Sequence, residues 1–273
     1  FYRLLEAYLR VRNWKEVPKV IADERILQRI SDDPFLFQRS LDELKRLEDM
    51  GGQIIHPLAS SYPSAFLAWQ RAPVALSYWG QFFQNTQPKL TVVGSRRILP
   101  QTREWINHEL RGFLQGQRGQ LHILSGGAWG VDLAVHELCF ATLTPTSVFL
   151  PSGLLSPYPK HWRRNQTLVL EGGGALVSPF APKKEIQKYL FHRRNEVMAY
   201  LSDWVLIPQA TRRSGTLMTA KHALRFGKTL GTVPAWPTSI SANGNLALLR
   251  DGAQLICDKK DLQAVHELVC CLN

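Results

Sequence analysis

Acidic residues and cysteines are both scarce in this chain: 22 Asp and Glu stand against 33 Lys and Arg, and 273 residues hold four cysteines. Cys139, Cys257, Cys270 and Cys271 have no Cys-x-x-Cys spacing and no accompanying histidine cluster, so reduced, buried thiols are expected rather than a disulfide or metal framework. No apolar run approaches the ~20 residues that a membrane-spanning helix requires, and a cytoplasmic protein without a membrane partner is expected. Phe1, in place of a methionine, leaves targeting weakly constrained. The histidines are scattered, with no His-Glu-x-x-His, so neither a metal nor a cofactor is expected. Gly-Lys-Ser/Thr occurs nowhere, which argues against an ATPase or GTPase loop. Ser152, in PSGL, lacks the glycine two residues earlier that a nucleophile elbow requires. Low-complexity segments and internal repeats are absent.

What the chain does have is a set of small-residue turns, each following an apolar run: LTVVGSRR (90–97), LHILSGGAWGVD (121–132), SVFLPSGL (147–154) and WVLIPQATRRSGT (204–216). Short β-branched and apolar runs that end in Gly and Ser read as buried parallel strands whose carboxyl ends open into turns. Strands are expected near 90–93, 121–124, 147–150, 175–177, 204–207 and 230–233. Helices are expected near 102–114, 130–143, 162–171, 193–201 and 216–226, with a final helix over 262–272. This alternation predicts an extended, doubly wound, mostly parallel α/β sheet of Rossmann-like type. Residues 54–83, punctuated by prolines, read as edge strands leading into it. Residues 1–53 read as a small helical (SAM-like) domain, with Leu4, Leu5, Tyr8 and Leu9 on one stripe, Phe37, Leu41, Leu44 and Leu47 on another, and Gly51-Gly52 as the stop. A packing appendage is the plain alternative for this segment.

In such a sheet the carboxyl ends of the strands share one edge, where turn and helix-terminal N–H groups attract anions. The second turn, SGGAWGVD, is the most specific of the four, yet it lacks the G-x-G-x-x-G order and the acidic partner of a dinucleotide site. Asp132 and His136 lie four apart on one helix. They form either an acid/base pair or, more plainly, a helix-start carboxylate and a hydrogen-bonded histidine.

The charge points to the ligand. The formal net charge is +11, and residues 160–228 hold 13 Lys/Arg against four Asp/Glu, a surplus of nine. A polyanion is the expected partner, with a solvated basic face as the alternative. In and just before that stretch, Tyr158, Trp162, Phe180, Tyr189 and Phe191 interleave with the cations, as in cationic grooves that bind single-stranded nucleic acid and stack its bases.

The ordered set GSRR, SGGAWGVDLAVH, PSGL…YP, RRN…LSD, RSGTLMTAKHA and NGNLALLRDGA, over residues 55–257, resembles the DNA-processing protein A (DprA/Smf) family. The resemblance implies a Rossmann-like domain at 54–273 that binds single-stranded DNA without sequence preference and without catalysis. It further implies a homodimer that protects incoming strands and loads the RecA recombinase in natural transformation or homologous recombination. Carried over by position, the phosphate site uses Gly94, Ser95 and Arg96 from the first turn, and Ser125, Gly126 and Gly127 from the second. Gly153 and Lys160 follow the third, Arg194 and Asn195 form an Arg-Asn pair, and Ser214, Gly215 and Thr216 complete the set. Trp129 and Trp162 are the candidate base-stacking rings.

Three positions depart from the family pattern. Trp129 stands where an arginine is usual, and Pro179 and Gln209 replace two acidic residues, which makes the site more positive. No C-terminal winged-helix domain is expected, since one helix follows Cys257. The competing reading is a nucleotide-binding or nucleoside-monophosphate-cleaving enzyme on a related fold. Ala220 and Lys221, where that chemistry wants a carboxylate, argue against it. A third reading is a protein-binding scaffold that acts through the N-terminal helices.

Overall fold

The computed structural model describes residues 34–57 and 59–272. The expected stripe at Leu4–Leu9, and with it most of the expected N-terminal domain, lies outside them. Helix α1 (Pro34–Asp49) ends where the glycine pair falls: Gly51 takes a φ of +76° and Gly52 donates to the Leu47 carbonyl at 2.8 Å, a left-handed helix stop. Leu47 packs beneath the main sheet, against Val148, Leu150 and Trp162.

Nine strands form one sheet: β1 (Gln53–Ile55), β2 (Leu76–Gly80), β3 (Lys89–Val92), β4 (His122–Ser125), β5 (Thr146–Phe149), β6 (Ala175–Ser178), β7 (Trp204–Ile207), β8 (Thr229–Thr232) and β9 (Gln254–Leu255). Their order is β1-β2-β6-β5-β4-β3-β7-β8-β9. Pairings from β6 through to β9 are parallel, while β1 and β2 add an antiparallel edge. The sheet is therefore the mostly parallel, doubly wound one expected from the sequence. The chain steps one way from β3 to β6 and the other way from β7 to β9. The order reverses between β3 and β7, and doubly wound folds bind ligands in the crevice at such a reversal.

Side-chain alternation divides the core between two faces. Trp204 and Leu206 face a layer made by α2 (Pro100–Trp105), a π-helical turn (Ile106–Leu110), α3 (Arg111–Gln117), α4 (Val131–Ala141) and, near the carboxyl terminus, α10 (Lys259–Leu272). Val205 and Ile207 face α7 (Lys188–Leu201) and α8 (Thr216–Arg225). A period of two with both faces apolar is what a buried parallel strand requires.

Several elements differ from expectation. The helix expected over 162–171 is two pieces, α5 (His161–Arg164) and α6 (Gln166–Glu171), broken where Asn165 leaves helical dihedrals at φ −96°, ψ 15°. Helix α7 starts five residues before the expected 193. Helix α9 (Asn243–Arg250) is not among the expected helices. Buried Asn245 anchors it to the ends of two strands, accepting from the Ala210 N–H and donating to the Pro208 carbonyl after β7 and to the Val233 carbonyl after β8. Of the cysteines, Cys139 is buried as expected, but Cys257, Cys270 and Cys271 are exposed.

Candidate nucleic-acid interface

At the β3/β7 reversal the strand tips enclose a cavity of about 620 Å³. Gly94, Ser95 and Arg96 line it from the loop after β3, Ser214, Gly215 and Thr216 from the loop before α8, and Arg194 and Asn195 from α7. The structure thus brings eight of the sequence-derived phosphate residues around one space. The other five do not line it.

Those five are buried or set aside. Ser125 Oγ donates to the Val92 carbonyl at 2.6 Å inside the sheet. Gly126 has no side chain because Arg194 occupies the place: a Cβ there would lie 2.4 Å from Nη1. Gly127, at φ +65°, presents its carbonyl to Trp162 Nε1 at 2.7 Å. The second turn is therefore scaffolding beneath the site. Gly153 is covered by the 181–184 segment, with its N–H on the Lys184 carbonyl. Lys160 is exposed at the start of α5, beside the cavity rather than in it. Trp162 corrects the stacking expectation. Its ring is fully buried among Val148, Leu150 and Val169 and has no face for a base. Trp129 is 58% exposed, tilted 4.6 Å from the His161 ring.

Three features of the cavity suit an anion. First, α7 and α8 begin beside it without side-chain caps and turn their positive ends toward it, whereas α4 is closed off, its Val131 and Leu133 N–H groups donating to the Ser95 and Ala128 carbonyls. Second, Ser95 Oγ, Ser214 Oγ and Thr219 Oγ1 are buried along its lining without a hydrogen-bond partner among the described residues. Third, Arg96, Arg97 and Lys188 line it, exposed, and make no ion pair among the described residues. Arg96 also lies over the Phe191 ring, 5.5 Å from its centroid.

Behind the lining sits a buried pair. Asp132 accepts the Gly94 N–H at 3.1 Å and the Ala128 N–H at 3.4 Å, linking the first two turns. Burial raises its carboxyl to about 6, opposed chiefly by the Arg194 guanidinium. Burial lowers Arg194 to about 10 against the pull of Asp132. Arg194 spends its donors on the carbonyls of Gly126 and Phe149 and on Asn195 Oδ1. His136 does not join Asp132. It bonds Thr146 through Nδ1, and burial depresses it to about 3, so the acid/base pair is not formed.

Gln209 fills its position completely. Its Oε1 accepts the Leu99 N–H, and its Nε2 donates to the carbonyls of Arg97 and Ser241, binding three loops of the rim. Asp132 and Thr219 were not assigned to the site from sequence, and Lys188 and Phe191 were read only as part of the basic and aromatic interleaving. The three-residue spacing of Lys188, Phe191 and Arg194, with Asn195 next to it, places them along one side of α7 and carries that signal.

A doubly wound α/β domain with a basic, hydroxyl-lined crevice at its topological reversal has the architecture of the Rossmann-like class. The family model for DNA recombination-mediator protein A matches residues 53–267, and the chain belongs to that family. It is 31% identical to DNA processing protein DprA of Streptococcus pneumoniae, over 77% of this chain and 73% of that protein. It is also 31% identical to protein Smf of Escherichia coli over 79% of this chain, a stretch that spans 57% of the Escherichia coli protein. Protein Smf of Borreliella burgdorferi is 30% identical and matched over 64% of its length. Among solved structures, DprA of Streptococcus pneumoniae superposes with a TM-score of 0.70 at 28% identity, covering 81% of this chain and 77% of that one. DNA processing protein A of Helicobacter pylori, described for its single-stranded DNA binding mode, superposes with a TM-score of 0.65 at 25% identity, covering 81% and 95%. No helix among the described residues is long and apolar enough to cross a membrane.

Proposed function

We propose that the chain binds single-stranded DNA in the β3/β7 crevice, without catalysis, and passes the strand to a RecA recombinase. The observation that carries the binding step is the set of three buried, unpartnered hydroxyls on residues that line a cavity rimmed by exposed cations. An unsatisfied buried hydroxyl costs about 1–3 kcal/mol, which a phosphate oxygen recovers by accepting from it. Phosphates draw the strand to the crevice by charge, and the helix termini and hydroxyls then fix its position.

Binding without hydrolysis fits the one carboxylate lining the cavity among the described residues. Asp132 is buried, and each of its oxygens accepts a backbone N–H group, so the structure uses it to tie the first two turns together rather than presenting it to water. Strand protection, RecA loading and homodimerisation extend this reading through the family, as does the Helicobacter pylori relative's described single-stranded DNA binding. The test is fluorescence anisotropy of labelled oligo-dT with the wild-type chain and an Arg96→Ala, Lys188→Ala double variant. A large loss of affinity with a shallower salt dependence is expected. Unchanged affinity would remove the crevice from the binding surface. Recombinase loading is read separately, as RecA filament growth on strands coated with single-strand-binding protein.

A further inference from the structure

The loop at 233–242, between β8 and α9, carries two of the most exposed large apolar side chains among the described residues: Trp236 at 77% and Ile240 at 80%. Single exposed apolar residues are ordinary, but a tryptophan held almost wholly in water on an ordered turn is not. The turn is pinned. Ser239 N–H donates to the Trp236 carbonyl at 2.9 Å, Ala242 N–H to the Ser239 carbonyl at 3.2 Å, and Gln209 Nε2 to the Ser241 carbonyl at 3.1 Å. Ser241 itself lines the crevice, five residues along from Trp236, so the loop that carries Trp236 forms part of the rim.

On the opposite rim stands Trp129, on the loop after β4. The strands rooting these loops lie in the order β4-β3-β7-β8. Three spacings of about 4.8 Å separate the outer two, which places the roots roughly 14 Å apart. Between them, Arg96 and Arg97 rise from the loop after β3 and Arg212 and Arg213 from the loop after β7. All four are exposed and make no ion pair among the described residues.

Aromatic rings on both rims with unpaired cations between them match a polymer that alternates negative charge with flat apolar groups. A duplex keeps its bases stacked on one another and offers none to an exposed ring. An apolar protein surface would leave the four arginines uncompensated.

We propose that Trp236 is a second base-stacking platform, and that a single strand crosses the strand tips from Trp129 to Trp236 with its phosphates on the crevice between. The proposal rests on the single-strand reading above. Ile240, beside Ser241, supplies an apolar edge to the same platform.

The test compares the full chain with its Trp236→Ala and Trp236→Phe variants, each titrated against labelled oligo-dT and an abasic oligomer of equal length. One stacked base lost is expected to weaken oligo-dT binding by roughly 5- to 150-fold, the equivalent of about 1–3 kcal/mol. The abasic oligomer should bind all three proteins alike, Trp236→Phe should keep most of the affinity, and the salt slope should not change. Oligo-dT binding unaltered in Trp236→Ala, while Arg96→Ala still weakens it, would overturn this inference alone and leave the surface to a protein partner. An equal loss on the abasic oligomer would also overturn it. Failure of the wild-type chain to bind oligo-dT at all would instead overturn the single-strand reading on which it rests.

Discussion

The guanidinium of Arg194 donates to the Gly126 carbonyl oxygen at 2.6 Å, from below the second turn. Arg96, by contrast, stands exposed on the rim over Phe191. The two arginines therefore separate support from contact. Arg194→Ala leaves buried carbonyls and Asp132 without their cation and is expected to cost about 3–5 kcal/mol of stability. Arg96→Ala should leave stability within about 0.5 kcal/mol of wild type while reducing the log–log salt slope of single-strand binding by about 0.7. Urea denaturation and salt-series anisotropy on both variants check this, and equal stabilities would contradict it.

Trp162 of α5 and Trp129 of the second turn divide in the same way. Trp162 is fully buried with its indole N–H on Gly127, so Trp162→Ala should cost about 3–5 kcal/mol. Trp129→Ala should leave stability unchanged and weaken oligo-dT binding by roughly 5-fold or more, since stacking is lost without a phosphate contact. A steeper or shallower salt slope in Trp129→Ala would show that phosphate contacts had been disturbed.

Two glycines of the rim give opposite expectations. Gly130 has a φ of +89°, and a Cβ there would lie 2.2 Å from the Ser95 carbonyl oxygen, so Gly130→Ala should destabilise by roughly 1–3 kcal/mol or more. Gly215, at φ −61°, has nothing within 4 Å of the Cβ position, so Gly215→Ala should fold normally. If phosphates approach the α8 terminus, that added methyl group should still weaken single-strand binding, as anisotropy would show. Full affinity would place the strand away from this terminus.

Asp132 imposes a pH dependence on stability. Its folded value of about 6 lies above the ordinary 3.8. Its contribution is fully present below about pH 4 and is lost as pH rises through about 6. Asp132→Asn should flatten the stability profile across that window, measured by urea denaturation at constant ionic strength. Parallel profiles for the two proteins would contradict it.

Much of the fold was legible because the strands are short apolar runs closed by Gly and Ser, a pattern that buried parallel strands impose. Helix α9 was not, since Asn245 earns its helical place through bonds to Ala210, Pro208 and Val233, all distant in sequence. The motif residues located the crevice but not the division of labour within it. Gly126 and Gly127 read as ligand contacts because they belong to a glycine turn, and Trp162 because it lies among cations, whereas packing against Arg194 of α7 and within the core turns them inward. The three unpartnered hydroxyls depend on burial and neighbours, which spacing alone does not specify.

The most direct test of the central claim is anisotropy of the wild-type chain with labelled oligo-dT and a matched duplex, each across a salt series. The crevice predicts tight, salt-sensitive binding with clear preference for the single strand. Absence of binding at low salt, or equal affinity for the duplex, would contradict it.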